Sequence, residues 1–534
     1  MQVFRPKFFT MIKSYNTDQF IKDLTAGIIV AIIALPLSIA LAIASGVSPE
    51  RGLYTAIIAG FLISFLGGSR VQIGGPTGAF MIIVYGIVTK YGMDGLIIST
   101  IMAGILLILM GVLQLGNLIR FIPYPITTGF TGGIALVIFT AQIKDFLGIS
   151  SENLPAEFID KWIFYFKNVG SANLNSLILG IICILIIALW PKLNKKIPGS
   201  LIALIVATAA AYFLKLDVET IGSKYGELSS SLPMPSLPNI NLSTVKMLIQ
   251  PAVTIALLGG IESLLSAVVA DGMIGGKHRS NTELIAQGIA NIASGVFGGI
   301  PATGAIARTA ANIKNGGRTP VAGIVHSLVL LLIMLLFMPL AKLIPLCSLS
   351  AILMVVAYNM SEWRAFRDMI REAPKSDAFV LLVTFILTVV LDLVIAIEIG
   401  MFIASLLFMK RMADTTKVDS IDGDVHQLSD DVLVYEMTGP FFFGAVDKFM
   451  EVIDESRRPC KTLILNMSHV PAMDVSGYRA LMSLYLNCKK HDIRLIISDL
   501  QAQPYSVLEK AKFIDKLGNE GICESLAKAA EMAS

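Results

Sequence analysis

Long apolar runs are the feature that most constrains the fold of this chain. Between residues 24 and 412 they follow one another with only short polar breaks. A helix needs about 20 apolar residues to cross a bilayer. Most of the runs reach or approach this length, and three are shorter: 77–89, 304–313 and 346–359. Together they predict about fourteen segments of an all-α polytopic membrane domain. The longer runs are 24–45, 52–68, 95–116, 126–147, 174–190, 199–214, 247–270, 282–299, 320–341, 377–393 and 394–409.

Composition supports a lipid environment and excludes several classes of protein. Only 15% of residues are charged, whereas soluble domains carry about 25%. A net charge of +3 does not suggest a nucleic-acid partner. The five cysteines have no metal-like spacing, which predicts reduced thiols and no cofactor. The first apolar run is too long for a signal peptide, and we expect it to stay in the protein.

The distribution of Lys and Arg predicts orientation. Arg5, Lys7, Lys13 and Lys22 precede the first run, in the N-terminal segment 1–23. When the following loops are assigned to alternate sides, Lys and Arg are more numerous on the side of this segment. Cytoplasmic loops carry such an excess. We therefore expect a multi-pass protein of the cell membrane with both termini in the cytoplasm.

The pattern changes after residue 413, where the predicted membrane region 24–413 ends. Residues 414–431 are polar and acidic and indicate a linker. Buried strands are predicted at 432–438, 462–467 and 494–499, with helices between them at 443–456, 476–489 and 504–516. Alternating strands and helices indicate a small α/β domain over residues 432–534.

Two matching phrases, rich in glycine and proline, occupy corresponding places in the two membrane halves, about 24–215 and 247–413. The phrases are 74–79 and 298–305, and each opens a short third run. Gly and Pro interrupt a helix, and Pro suits the first turn of a new one. The free N–H groups of two such helix starts form an anion site within a bilayer. Close packing of helices through small residues is the alternative interpretation.

Two charged residues within the apolar runs are functional candidates. Glu262 is a costly carboxyl inside its run and is a plausible proton carrier. It precedes Gly304 by 42 residues, and Pro36 precedes Gly78 by the same 42, so the two occupy related places. Arg308 lies one turn into the second short helix and would add positive charge to an anion site. The alternative for Glu262 is a carboxyl group hydrogen-bonded to neighbouring helices, and for Arg308 it is an arginine that reaches the cytoplasmic interface with a structural partner.

Several motifs together resemble the SulP family, the sulfate permease family. Residues 34–42, with 52–54, are similar to its first-helix signature. Residues 67–70 and 73–76 are similar to its entry into the third segment, and 305–309 with 316–319 to its tenth. The C-terminal region resembles the STAS domain that these proteins carry.

The resemblance implies a UraA-like fold of seven-plus-seven inverted repeats that works by an elevator motion, as a homodimer. It implies a small anion between the third and tenth segments, against the first helix. Leu37 and Thr77 replace a Gln and a Phe of some animal members, so their substrate preferences do not transfer. The expected binding residues are Leu37, Ser38, Leu41, Thr77, Gly78, Ala79, Thr303, Gly304, Ala307 and Arg308.

The resemblance also bears on coupling. Sodium-coupled bicarbonate members have Asp and Thr where this chain has Glu262 and Ser266, and proton-coupled members have Glu. We therefore expect proton symport of an inorganic anion, sulfate or bicarbonate, with Na⁺-coupled bicarbonate transport as an alternative. C4-dicarboxylate/H⁺ symport, nucleobase transport and an uncoupled channel or motor stay open as well. No Walker-type loop or nucleophile–base pair indicates an ATPase or another enzyme.

The predicted soluble domain carries a candidate regulatory turn. Asp474 and Ser476 lie where a strand leads into a helix, and Ser476 is expected to cap that helix. The matching Ser is phosphorylated in related anti-sigma-factor antagonists, which makes Ser476 a candidate for phosphorylation. A sensor that signals to a cytosolic protein through this domain is a further alternative.

Overall fold

A computed structural model describes residues 4–117, 122–150, 155, 157–194, 197–231, 233–238, 241–391, 393–421, 431–455, 460–518 and 520–533. The chain divides into two compact units, Met1–Met401 and Phe402–Ser534. This boundary falls within the last apolar helix, earlier than residue 413, where the sequence changes character.

The first half of the membrane unit is helical apart from one two-residue strand, β1 (Gly74–Gly75). Its helices begin at Pro or Asn in several places; for example, Asn16 and Asn173 accept a hydrogen bond from the backbone three residues on. The helices are α1 (Lys7–Met11), α2 (Thr17–Ala44), α3 (Pro49–Leu66), α4 (Met81–Val112), α5 (Tyr124–Leu147), α6 (Phe158–Asn168), α7 (Leu174–Leu193) and α8 (Gly199–Phe213).

The second half repeats this order, with a second two-residue strand, β2 (Thr303–Gly304), before its short third helix. The helices that follow the short α9 (Ile221–Tyr225) are α10 (Leu242–Ile274), α11 (Ser280–Val296), α12 (Ile306–Lys314), α13 (Val321–Ala341), α14 (Leu346–Met360), α15 (Trp363–Glu372), α16 (Lys375–Val390) and α17 (Leu393–Thr415).

The predicted all-α membrane domain is confirmed. Gly92 has a non-helical backbone with φ 70° and divides α4 into two limbs, which correspond to the predicted runs 77–89 and 95–116. Within the described residues, each half therefore has seven segments in the same order. Seven described helices are long and apolar enough to cross a membrane. The amphipathic α6 and α15 were not among the predicted runs, because their apolar residues are interleaved with charged ones.

Small residues allow α4 and α11 to pack closely. A Cβ added to Gly104 would lie 2.6 Å from the carbonyl oxygen of Gly288, and a Cβ on Gly288 would meet the carbonyl oxygen of Gly104. Helices in membranes associate closely through such residues. Large buried side chains, including Phe80, Leu96 and Leu107, belong to one apolar core together with Leu284 of α11.

The second unit is a five-stranded sheet with helices, and the predicted small α/β domain is confirmed. Its elements are β3 (Lys417–Ser420), β4 (Val432–Thr438), α18 (Phe443–Glu455), β5 (Thr462–His469), α19 (Val475–Lys490), β6 (Arg494–Ser498), α20 (Ala502–Lys510), α21 (Phe513–Leu517), β7 (Ile522–Cys523) and α22 (Leu526–Ala533). The strand order is β3-β4-β5-β6-β7, with β3 antiparallel to β4 and the remaining pairs parallel.

Two local differences from the sequence prediction concern this unit. The predicted linker 414–431 contains β3, which pairs with β4, and its residues 422–430 lie outside the described residues. The predicted helix 504–516 is two helices, α20 and α21, separated at Lys512, whose φ is 53°. A positive φ at a non-glycine residue interrupts a right-handed helix.

Candidate functional site

The two glycine-containing phrases meet at the centre of the membrane unit. β1 and β2 pair antiparallel, with Gly74 opposite Gly304 and Gly75 opposite Thr303. The Ala305 N–H donates to the Ile73 carbonyl oxygen at 2.8 Å and extends this ladder. The repeated phrases thus form one joint structure between the two halves, which we call the crossing.

A short helix begins immediately after each strand. Thr77 precedes a turn of 3₁₀-helix at Gly78–Phe80 that leads into α4, and Ala305 precedes α12. Neither Thr77 nor Ala305 caps its helix through a side-chain hydrogen bond. The N–H groups at both helix starts therefore have no side-chain cap, as an anion site requires.

Arg308 supplies a buried positive charge beside the paired strands. Its side chain is 2% exposed, and its Nη2 donates to the Pro76 carbonyl oxygen at 3.0 Å and to Ser38 Oγ at 3.3 Å. Its Nη1 is buried and has no hydrogen-bond partner in the described part of the chain. Arg308 therefore joins α12 to the first phrase and to α2, and it retains a donor for a further acceptor.

Glu262 of α10 is in direct contact with the first phrase. The Thr77 hydroxyl donates to Glu262 Oε2 at 2.9 Å. The next residue, Ser263, bonds to Thr303 through its hydroxyl at 2.5 Å and accepts from the Gly304 N–H at 3.2 Å. One turn of α10 thus connects the carboxyl group to both phrases.

The first membrane helix, α2, contributes a wall of buried residues. Ser38 is fully buried, and Leu37 and Leu41 are nearly so. A Cβ built on Gly78 would lie 3.9 Å from Leu41 Cδ2 and 2.5 Å from Ile138 Cδ1, so a side chain at Gly78 would fill this space. Leu37 lies in the apolar core that α2 forms with α3, α13 and α14, and no polar contact joins it to Thr77 or Arg308 among the described residues.

The remaining predicted positions differ in accessibility. Ala79 is 1% exposed and packs in the core, whereas Ala307 is exposed at the start of α12. Ser266 is buried one turn from Glu262, and its Oγ has no hydrogen-bond partner within the described ranges. The structure therefore connects five predicted polar side chains to the crossing, directly or through Arg308: those of Ser38, Thr77, Glu262, Thr303 and Arg308.

The sequence analysis missed polar residues at this site, and Gln72 and Thr309 are two of them. Gln72 is 4% exposed, and its Nε2 donates to the Ser263 carbonyl oxygen at 3.2 Å. Thr309 accepts a hydrogen bond from the Ile73 N–H at 3.1 Å. Gln72 lies two residues before the first phrase, and Thr309 directly follows Arg308. A polar side chain within an apolar stretch was therefore the sequence signal that could have identified both residues.

In the second unit, the cap of α19 differs from the expectation. Asp474, and not Ser476, is the N-cap: Asp474 Oδ1 accepts from the Ser476 and Gly477 N–H groups at 2.8 and 2.9 Å. The prediction that Ser476 caps the helix is wrong. Asp474 has the extended backbone (φ −104°, ψ −174°) that an N-cap needs, while Ser476 is already inside the first turn.

Comparison with known families gives two matches. The sequence profile of the sulfate permease family matches residues 20–384. The profile of the STAS domain matches residues 425–529. The first match covers the crossing and all the predicted membrane site residues, and the second covers the sheet from β4 to β7.

Individual proteins are similar over almost the whole chain. A Bacillus subtilis protein named "Putative sulfate transporter YvdB" is 44% identical over 96% of this chain and 98% of its own length. The bicarbonate transporter BicA of Picosynechococcus sp. is 30% identical over 93% of this chain and 91% of its own. The structure of the murine Solute Carrier 26 family member A9 anion transporter covers 98% of this chain and 93% of its own, with a TM-score of 0.87 and 21% identity. That last likeness concerns the fold alone.

Proposed function

Because the chain belongs to the sulfate permease family, we propose that it carries a small inorganic anion, sulfate or bicarbonate, across the cell membrane together with protons. The family is one of multi-pass membrane transporters and not of enzymes. The names of its relatives, a sulfate transporter and a bicarbonate transporter, support these two anions as first choices.

The hydrogen bond from Thr77 to Glu262 is the observation that carries the proposal. It joins the membrane carboxyl group directly to a helix start of the anion site. An ionised Glu262 puts a negative charge where the anion has to bind, and a proton on Glu262 removes that charge. Anion and proton would therefore occupy the site together, because like charges at this distance repel strongly in a medium of low dielectric.

Arg308 and the two uncapped helix starts supply the positive potential for the anion. The guanidinium group already donates hydrogen bonds to Ser38 and Pro76. Its Nη1 would donate a further hydrogen bond to the anion. An elevator motion of a homodimer, with both termini in the cytoplasm, is part of the same proposal and is supported by the family membership and the Lys and Arg distribution.

Sodium coupling is a second candidate, favoured by Ser266. Its buried Oγ has no partner among the described residues and lies one turn from Glu262 on α10. A hydroxyl and a carboxylate oxygen are suitable ligands for a hard cation. We prefer proton coupling because it requires only one carboxyl group at the site, and Glu262 is such a group.

Coupling can be tested with the full chain in proteoliposomes. Uptake of radiolabelled sulfate, bicarbonate and a C4-dicarboxylate is measured under an imposed pH gradient, with Na⁺ present or absent. We expect an inorganic anion to enter with the proton gradient and without Na⁺. Uptake that requires Na⁺ and ignores the pH gradient would contradict proton coupling, and gradient-independent flux would indicate a channel.

Replacing Glu262 by Gln provides the residue-level test. We expect Glu262→Gln to abolish gradient-driven uptake and to retain anion binding, because the amide cannot release a proton. Glu398→Gln is the matched control, since Glu398 is an exposed carboxyl of α17. If Glu262→Gln couples uptake to the gradient as well as the parent does, the assignment of Glu262 is wrong.

The STAS domain is a candidate for regulation of transport. Asp474 caps α19, which leaves the hydroxyl of Ser476 without that structural task. We therefore keep Ser476 as a candidate for phosphorylation and the domain as a candidate contact for a cytosolic protein. Mass spectrometry of the chain purified from cells would detect the phosphate on Ser476.

A further inference from the structure

The N-terminal segment lies beside two loops of the membrane unit and brings four basic residues together. Its backbone crosses two loops of the membrane unit: the Lys7 N–H donates to the Gly67 carbonyl oxygen at 2.9 Å, and Arg279 Nη1 donates to the Arg5 carbonyl oxygen at 2.6 Å. The loops also bond to each other, because the Arg279 N–H donates to the Gly68 carbonyl oxygen at 3.0 Å. We call Arg5, Lys7, Arg70 and Arg279 the basic cluster.

Lys7 is the unusual member of the basic cluster. Its side chain is only 8% exposed, yet it forms no hydrogen bond or ion pair with any described residue. Burial, and then the charges of Arg279 and Arg70, lower the pKa of Lys7. A lysine that is little exposed and lies among like charges is stabilised by an accompanying anion.

Neighbouring donors are also without partners. Arg70 Nε and Ser69 Oγ are both buried and have no hydrogen-bond partner in the described part of the chain. Ser69 itself is 5% exposed. Buried polar groups in native proteins almost always have a partner, so several unused donors at one place indicate a missing acceptor.

Two carboxyl groups lie near the basic cluster, and both are already engaged. Glu283 Oε2 accepts from the Gly68 and Ser69 N–H groups, and its Oε1 accepts from Gln287. Asp271 Oδ2 accepts from the His278 N–H and pairs with its ring nitrogen, each at 2.7 Å. Asp271 raises the pKa of Lys7, but less than burial and the two arginines lower it. The cluster therefore keeps an excess of positive charge.

We propose that the basic cluster binds a phosphate group, through Lys7, Arg70 and Arg279. Arginine and lysine are the residues with which proteins hold phosphate, and the unused Ser69 hydroxyl is an additional donor. The site would be separate from the anion path, since it shares no residue with the crossing at Thr77, Thr303 and Arg308.

The apolar residues of the same segment suggest a source for the phosphate. Phe4, Phe9 and Ile12 are 40–51% exposed, and the Phe8 and Phe9 rings pack on Phe65 of α3, with centroids 4.9 and 5.5 Å away. Exposed apolar side chains beside basic ones are typical of a segment at the bilayer surface. An anionic phospholipid headgroup and a free inorganic phosphate share the chemistry, and experiment can distinguish them.

The test uses the purified full chain in an uncharged detergent. Its thermal unfolding midpoint is recorded against inorganic phosphate at constant ionic strength, and in a second series against added phosphatidylglycerol or phosphatidylcholine. The variants are Lys7→Gln and Arg70→Gln, with Lys7→Arg as the charge-conserving variant. Lys13→Gln is the matched control, because Lys13 is an exposed lysine of the same segment outside the cluster.

We expect the parent, Lys7→Arg and Lys13→Gln to be stabilised, and Lys7→Gln and Arg70→Gln to need at least about tenfold more ligand. An effect of inorganic phosphate indicates a free anion, and an effect of phosphatidylglycerol alone indicates a lipid headgroup. Equal responses of Lys7→Gln, Arg70→Gln and Lys13→Gln in both series would overturn the proposal. Arg308→Ala separates the two sites: if it removes the response, the ligand acts at the transport site, and the basic cluster does not bind it.

Discussion

At the scale of single residues, the site depends on a buried arginine whose partners come from distant parts of the chain. Arg308 is 2% exposed and bonds to Ser38, 270 positions away, and to Pro76. A buried guanidinium group needs such acceptors, because an unpaired buried charge is very costly. Arg308 therefore has both a structural and a proposed binding role, and these can be separated by experiment.

Replacing Arg308 by Ala should weaken anion binding more than it weakens the fold. A hydrogen bond to a charged group contributes about 1.5–3 kcal/mol, so we expect the half-saturating anion concentration for uptake to rise about 10–100-fold. Lys314→Ala is the control, since Lys314 is an exposed charge at the end of the same helix, α12. An unchanged half-saturating concentration in Arg308→Ala would exclude Arg308 from the site.

At the scale of elements, the crossing of β1 and β2 is held by side chains that leave no room for a larger residue. The Gln72 amide lies against Gly304 and donates to the Ser263 carbonyl oxygen, and the Ser263 hydroxyl bonds to Thr303. Two-residue strands have few backbone hydrogen bonds of their own. Their position therefore depends on α10 and on Gln72.

Gly304→Ala should destabilise the membrane unit, because the new Cβ would overlap Gln72 Nε2. Overpacking of this kind costs about 1–3 kcal/mol, and we expect a lower unfolding midpoint of the purified chain and reduced uptake. Gln72→Ala in the same chain should recover part of the midpoint by removing the overlap. Gly272→Ala in α10 is the control, because no atom lies within 4 Å of a Cβ at that position. If the single and double variants unfold alike, steric overlap with Gln72 is not the cause.

The start of α19 in the STAS domain gives a second prediction at this scale. Asp474→Ala removes the acceptor for two N–H groups, and loss of an N-cap costs about 1 kcal/mol. Hydrogen exchange of the Ser476 and Gly477 amides should become about fivefold faster. Ser476→Ala should leave their exchange unchanged. Faster exchange in Ser476→Ala alone would contradict the assignment of the cap.

At the scale of the whole molecule, the chain combines a membrane unit of two similar halves with an α/β unit. Each half has seven segments, with a strand before its third, and the antiparallel pairing of those strands agrees with an inverted relation between the halves. Such repeats place a binding site at the repeat interface. Glu262, Thr77 and Arg308 lie at this interface.

The orientation of the chain is testable at the same scale. With both termini in the cytoplasm, protease added to inside-out membrane vesicles should remove the STAS domain, whereas right-side-out vesicles should protect it. An antibody against a C-terminal tag detects the product. Digestion from the outside of intact right-side-out vesicles would contradict the predicted orientation and the assignment of loops on which it is based.

Periodic and local features of the sequence were enough to predict much of this protein. Apolar run length predicted the helices, with Gly92 dividing two of them, and the strand and helix patterns predicted β4, β5 and β6 to within two residues. The repeated phrases predicted interrupted backbone before the third segment of each half, where the structure has β1 and β2. These predictions succeed because helix length, strand alternation and helix-breaking residues act within a few neighbours.

Contacts between distant residues were decided only by the tertiary structure. The sequence did not indicate that Thr77 bonds to Glu262, that Gln72 lies against Gly304, or that Lys7 lies beside Arg70 and Arg279. Each contact joins segments that are about 60 to more than 200 positions apart, and it exists because helix packing brings them within hydrogen-bonding or electrostatic range. The sequence by itself determined which segments cross the membrane and which are broken; the packing of those segments determined which polar groups meet.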